Sequence, residues 1–138
     1  MSTPWPHVFV CGPERAEGDG LRLFTGPVAG RTGVVAGLLV PHAGHGTAAG
    51  GRVPRATVWA ALDCPSAWPH LRPGVATLLG RIRAQVWSTL TVGEHYVSVG
   101  EAVGEDGRTR YSRSALDDRA GTLVGAAEAT WITVDRGP

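Results

Sequence analysis

The sequence predicts an α+β domain in which a curved antiparallel sheet wraps around one central helix. Three observations predict it. Val53 to Trp68 is an Ala-rich apolar segment of helical character, and Val75 to Trp87 alternates for its whole length. Two turn signals, Glu105-Asp106-Gly107 and Asp117 to Gly121, then divide the remainder into Tyr96 to Val103, Arg108 to Leu116 and Leu123 to Val134, which read as a hairpin-linked meander. At 138 residues there is room for one domain of ordinary size. We read 1–138 as that domain, with N-terminal loops and short strands over 1–52, the central helix over 53–71 and antiparallel strands over 75–134.

The elements follow from local chemistry. Residues 1–52 hold 11 of the 20 Gly and half of the 10 Pro, so they favour loops around short strands, expected at Leu21 to Phe24 and Thr32 to Val40. His42 to Arg52 reads as a Gly/Ala loop, and its two histidines, His42 and His45, as loop residues rather than a metal pair. Pro54 suits the first turn of the helix, whereas Pro65 removes a backbone donor, so the helix should kink or end near Cys64, with Ser66 to Leu71 as a final turn or two. In the long strand, Ala76, Leu78, Gly80, Ile82, Ala84 and Val86 form the apolar face, and Thr77, Arg81, Arg83 and Gln85 the polar one. One helix covers only part of such a sheet, which leaves a surface or an edge for a second subunit.

Composition excludes several functions. Hydrophobic residues are 43% and charged residues 18%, with a net charge of +1, so the chain should form a core and is not built to hold nucleic acid. It has 13 Arg and no Lys, which rules out lysine Schiff bases, P-loop lysines and lysine bases. Asn is also missing and Ile occurs only at Ile82 and Ile132, a bias that points to a high-GC bacterial source. Cys11 and Cys64 are too few for a disulfide framework and form no zinc pattern; buried, each behaves as a small hydrophobe. The longest uncharged apolar run, Gly33 to Pro41, is about half of a membrane span, and no secretion signal is evident, so a cytoplasmic protein is expected.

Four segments resemble a known family. His7 to Pro13 followed by Gly20-Leu21-Arg22-Leu23, Arg55 to Asp63 (RATVWAALD), Gly107-Arg108 with Gly121 to Val124, and Ala127 to Trp131 occur in the order seen in hotdog-fold acyl-CoA thioesterases. The opening resembles the phenylacetate-thioesterase-like branch, of an actinobacterial type. The resemblance implies a homodimer or homotetramer that binds an acyl thioester, on coenzyme A or an acyl carrier protein, with no cofactor beyond the coenzyme A of the substrate. It also implies that Asp63 is the helix-borne nucleophile or base, and that the Arg55 and Ala56 amides stabilise the oxyanion at the positive end of the helix. Where that branch has His-Gly-Gly, this chain has Pro54-Arg55-Ala56. Two further readings therefore stay open: a dehydratase, isomerase or cyclase that uses Asp63 with a histidine, and a noncatalytic acyl-binding protein.

Each candidate has a structural alternative. Asp63 either contacts ligand or caps the segment after Pro65. Arg55, Trp59 and Asp63, at i, i+4 and i+8, form either a pocket wall or a core tryptophan beside a solvated arginine. His70 is placed to approach Asp63 across the kink as an acid or base. Arg81, Arg83, Arg108 and Arg110 would either bind phosphates or form a solvated outer sheet face.

Overall fold

The computed structural model describes residues 5–46 and 49–135. Its centre is a six-stranded antiparallel sheet in the order β1-β2-β4-β5-β6-β3. The strands are β1 (Gly26–Val28), β2 (Arg31–Leu39), β3 (Val75–Val86), β4 (Tyr96–Asp106), β5 (Thr109–Asp118) and β6 (Leu123–Asp135). The single α-helix among the described residues, α1 (Ala56–Ala67), packs across β4, β5, β6 and β3. Val58, Ala61 and Leu62 on α1 meet Leu39, Leu116, Val124 and Ala127 of the sheet in one buried core. The expected meander is β4-β5-β6, with β3 added beyond β6 as an edge.

At Pro65 the expected end is absent, while the final turn or two expected over Ser66 to Leu71 is present. The helix continues to Ala67 and into a 3₁₀ turn at Trp68–His70. Proline supplies no N–H for the Ala61 carbonyl, and a serine of the sheet replaces it: Ser98 Oγ donates to that oxygen at 3.2 Å. One residue on, Ser114 Oγ donates to the Leu62 carbonyl at 2.7 Å. Ser66 Oγ donates to the Asp63 carbonyl at 2.6 Å and accepts from Trp131 Nε1 at 2.9 Å. A buried carbonyl left bare would cost about 1–3 kcal/mol; with these bonds the helix can pass through the proline. Gly100 lets α1 come this close, because a Cβ there would overlap the Pro65 carbonyl oxygen.

Three other expectations are corrected. Leu21 to Phe24 is not a strand: Arg22 has φ 53° and breaks regular pairing, while the Leu21 and Leu23 amides donate to the Phe9 and Val10 carbonyls at 2.7 and 2.9 Å. The apolar face of β3 is interrupted, since the register with β6 shifts between Leu79 and Arg81. That bulge at Gly80 reverses the alternation. It buries Thr77 and leaves Leu78 58% exposed, whereas Ile82, Ala84 and Val86 keep the expected inward side. The hairpin turn between β4 and β5 lies at Gly107-Arg108, because Asp106 still pairs with Thr109. Gly107, at φ 56°, supplies the positive angle that a two-residue hairpin requires.

The segment from His42 to Arg52, apart from residues 47 and 48, which lie outside the described residues, holds two short 3₁₀ turns. His42 Nδ1 accepts from the Gly44 amide at 2.9 Å. His45 Nδ1 accepts from the His42 amide at 3.1 Å, and its Nε2–H donates to the Gly20 carbonyl at 3.0 Å. His42 thus serves the loop's own backbone, and His45 ties that loop to the backbone at Gly20.

Candidate active site

Asp63 lies in the middle of α1, partly buried, and its Oδ1 is shielded from solvent with no hydrogen-bond partner among the described residues. Burial pushes its carboxyl above the usual aspartate range. The side chain does not cap the segment after Pro65. The amide groups there are served within the helix, and only the Asp63 carbonyl is engaged, by Ser66.

Trp59, one turn before Asp63, is 39% exposed and so is not part of the core. Arg55, just ahead of the helix, is not simply solvated. Its guanidinium donates to the Val86 carbonyl, which ties the start of α1 to the end of β3. The first amides committed to the helix are Thr57, to Pro54 at 2.9 Å, and Val58, to Arg55 at 3.0 Å. The Arg55 and Ala56 amides precede them and, among the described residues, donate to no carbonyl, which leaves the positive end of the helix open. At about 1.5 Å per residue, these amides and Asp63 are about 12 Å apart along the axis. One carbonyl group cannot meet both within a single chain.

His70 is not brought to Asp63. It is buried, with Nε2 3.0 Å from the Tyr111 carbonyl, to which it donates. Burial pushes its pKa down against the opposing pull of that bond, so the ring stays neutral. Cys11 and Cys64 are free and buried. The hydrogen bond between the two thiols, followed by burial, pushes Cys64 up, so it persists as a thiol and not as a nucleophile.

The four arginines divide between the outer face, the helix side and a hairpin turn. Arg81 and Arg83 are exposed on the outer face, where they line a cavity of about 450 Å³ with Tyr111 and Arg113. Arg110 pairs in register with buried Trp131 on the helix side, and its Nε lies 3.3 Å from Glu105 Oε2. Arg108 sits in the hairpin turn, where its carbonyl accepts from Thr133. Arg113 rather than Arg110 therefore joins Arg81 and Arg83. The alternation of Tyr111 and Arg113 against Ser112 and Ser114 is the sequence signal for that placement. The same alternation marks Ser114, with Ser98 on the next strand, as a helix-facing residue that sequence reasoning missed.

Solved structures share this architecture. A thioesterase superfamily member 2 from zebrafish matches with a TM-score of 0.65 at 15% identity, over 78% of this chain and 78% of that one. A phenylacetic acid degradation-related protein from Ralstonia eutropha JMP134 matches with a TM-score of 0.70 at 17% identity, over 81% and 85%. The chain has a hotdog fold. A Streptococcus mutans protein bound to acetyl CoA aligns on the same hotdog frame, with a TM-score of 0.69 at 12% identity over 83% and 91%. No protein-family model and no curated protein matches the sequence.

Proposed function

We propose that this hotdog protein binds acyl thioesters at a site built by two copies of the chain, and hydrolyses them with Asp63 as general base or nucleophile. The observation that carries the reading is the Asp63 carboxylate itself: borne on the helix, partly buried, pushed upward by burial and with Oδ1 unpaired. A carboxylate raised toward the working pH is a better proton acceptor than one held by a cation. The open amides of Arg55 and Ala56 supply an oxyanion site, and the 12 Å gap explains the need for a second copy. An antiparallel partner sets its own helix start near the first chain's Asp63. β3 offers the edge for that pairing, being long and hydrogen-bonded on one side only. Coenzyme A and acetyl CoA appear with hotdog neighbours, which supports a coenzyme A thioester as the substrate class; an acyl carrier thioester presents the same reacting group.

The test is thiol release from a panel of acyl-CoAs, read with a thiol reagent, for wild type and Asp63→Asn. Wild type should release thiol, and the variant should lose about 10²–10⁴-fold in kcat with little change in KM. No release from any chain length would overturn hydrolysis. Calorimetric binding of the same acyl-CoAs would then separate an acyl-binding protein from one that takes no thioester.

A further inference from the structure

The core beside α1 holds a pair of thiols that the acyl chemistry does not use. Cys11 and Cys64 are the two cysteines of the sequence, 2% and 7% exposed, and they lie in the same buried cluster. Cys11 belongs to an N-terminal turn whose backbone bonds are local. The Gly12 amide donates to the Val8 carbonyl at 2.8 Å, and the two carbonyls just before Cys11, those of Phe9 and Val10, accept from Leu21 and Leu23. A Cβ at Gly12 would overlap the Val8 carbonyl oxygen, so the turn closes tightly. Side-chain packing joins this turn to α1. Cys64 belongs to the closed stretch of the helix, where its carbonyl accepts from the Trp68 amide and the three carbonyls before it accept from serines. Two fixed backbones thus hold the thiols against each other, and the Cys64 thiol donates to the Cys11 sulfur. That bond makes the sulfurs unequal. Helped against burial by the Trp68 indole N–H, it holds the Cys11 thiol below its ordinary range, while Cys64 keeps its proton.

We propose that Cys11 and Cys64 form a reversible redox site, which a hydroperoxide closes to a disulfide between the N-terminal turn and α1. The Cys11 thiolate attacks one peroxide oxygen, the O–O bond breaks, and Cys11 becomes a sulfenic acid. The hydroxide that leaves takes up the proton Cys11 has lost, giving the first water. The Cys64 sulfur then bonds to the Cys11 sulfur, the S–O bond breaks, and the Cys64 proton departs with the hydroxyl as the second water. Two thiols are oxidised and one peroxide is reduced. Because its partner is already in contact, the sulfenic acid is captured before a second peroxide carries it to the irreversible sulfinic acid. Hydrogen peroxide is little larger than water, which suits a pair with so little exposed surface. A dithiol restores both thiols by exchange. The new bond closes the chain over residues 11–64 and so restricts its unfolded state. The inference does not rest on the acyl-site reading, although the bond forms one residue from Asp63.

Hydrogen peroxide added to the folded full chain, followed by intact mass, tests it. The chain should lose two hydrogens, about 2 Da, stay a single chain under non-reducing denaturing conditions, and regain them with dithiothreitol. Digestion at arginine should yield the peptide that ends at Arg15 joined to the one that begins at Ala56. The single variants read the order of events. Cys64→Ser, which has no thiol to capture the intermediate, should gain one oxygen at Cys11, about 16 Da, whereas Cys11→Ser should react at least about tenfold more slowly. Where a variant fails to fold, the wild-type mass and peptide map decide. The proposal is overturned if peroxide leaves both thiols of the folded chain free, if the bridge forms between chains, or if the two folded variants react alike.

Discussion

The two halves of α1 are held in opposite ways. Around Pro65, the Ala61, Leu62 and Asp63 carbonyls each receive a serine hydroxyl, and Gly100 lets the turn lie directly on β4. At the other end the Arg55 and Ala56 amides donate to no carbonyl among the described residues, Trp59 is exposed, and an arginine bond to Val86 helps tie the helix to the sheet. The closed half spends its polar groups on the fold, and the open half leaves them unspent, as the proposed acyl site requires. Asp63 sits at the division, with its carbonyl bonded to Ser66 and its carboxylate Oδ1 without a hydrogen-bond partner among the described residues.

The strongest way to break the closed half is Gly100→Ala. The added methyl would overlap the Pro65 carbonyl oxygen, and both groups are backbone-fixed, so neither can swing aside. Overpacking of this kind should cost about 3 kcal/mol or more. Urea denaturation should show that loss. A change below about 1 kcal/mol would mean that α1 is not seated on β4 as described.

A smaller and sharper test concerns the replaced hydrogen bond. Ser98→Ala strips the Ala61 carbonyl of its donor and should cost about 1–3 kcal/mol. Pro65→Ala gives the helix back the N–H that proline lacks, so in that background Ser98→Ala should cost markedly less. The coupling from the double-mutant cycle should be about 1 kcal/mol. Strict additivity would show that Ser98 does not substitute for the missing amide.

These tests also mark what the sequence could and could not disclose. The helix, the β4-β5-β6 meander and the long β3 are legible because apolar periodicity and turn residues act locally. Final turns after Pro65 were expected, but what carries α1 through the proline was not legible. It depends on Ser98 and Ser114, 33 and 49 residues further on, reaching back across the sheet. The bulge at Gly80 likewise answers to β6, and no local signal inverts the faces of Leu78 and Thr77. Of the candidate site, the row of Arg55, Trp59 and Asp63 is visible from helical spacing. The separation of Arg110 from Arg81 and Arg83 is not, because it requires knowing which side of β5 meets Trp131. Neither is the place of His70, which is set by a carbonyl 41 residues away.

The smallest expected effect sharpens the division at Asp63. Because burial raises its carboxyl above the unfolded value, the folded chain holds the proton more tightly than the unfolded chain does. The stability this contributes is fully present below the ordinary aspartate range and is lost as pH rises through the higher folded value. At neutral pH the ionised group is therefore a burden on the fold. Asp63→Asn removes the charge while keeping the shape, so thermal unfolding at pH 7 should show the variant more stable than wild type by about 1 kcal/mol. The gap should close as pH falls through the raised folded value, where wild-type Asp63 takes up its proton. A carboxylate recruited for the fold would behave the other way, with the variant weaker at pH 7 and the gap again closing in acid. A gain in stability accompanied by loss of thiol release would place Asp63 with the open half of the helix, as a group kept for its chemistry at the expense of the fold.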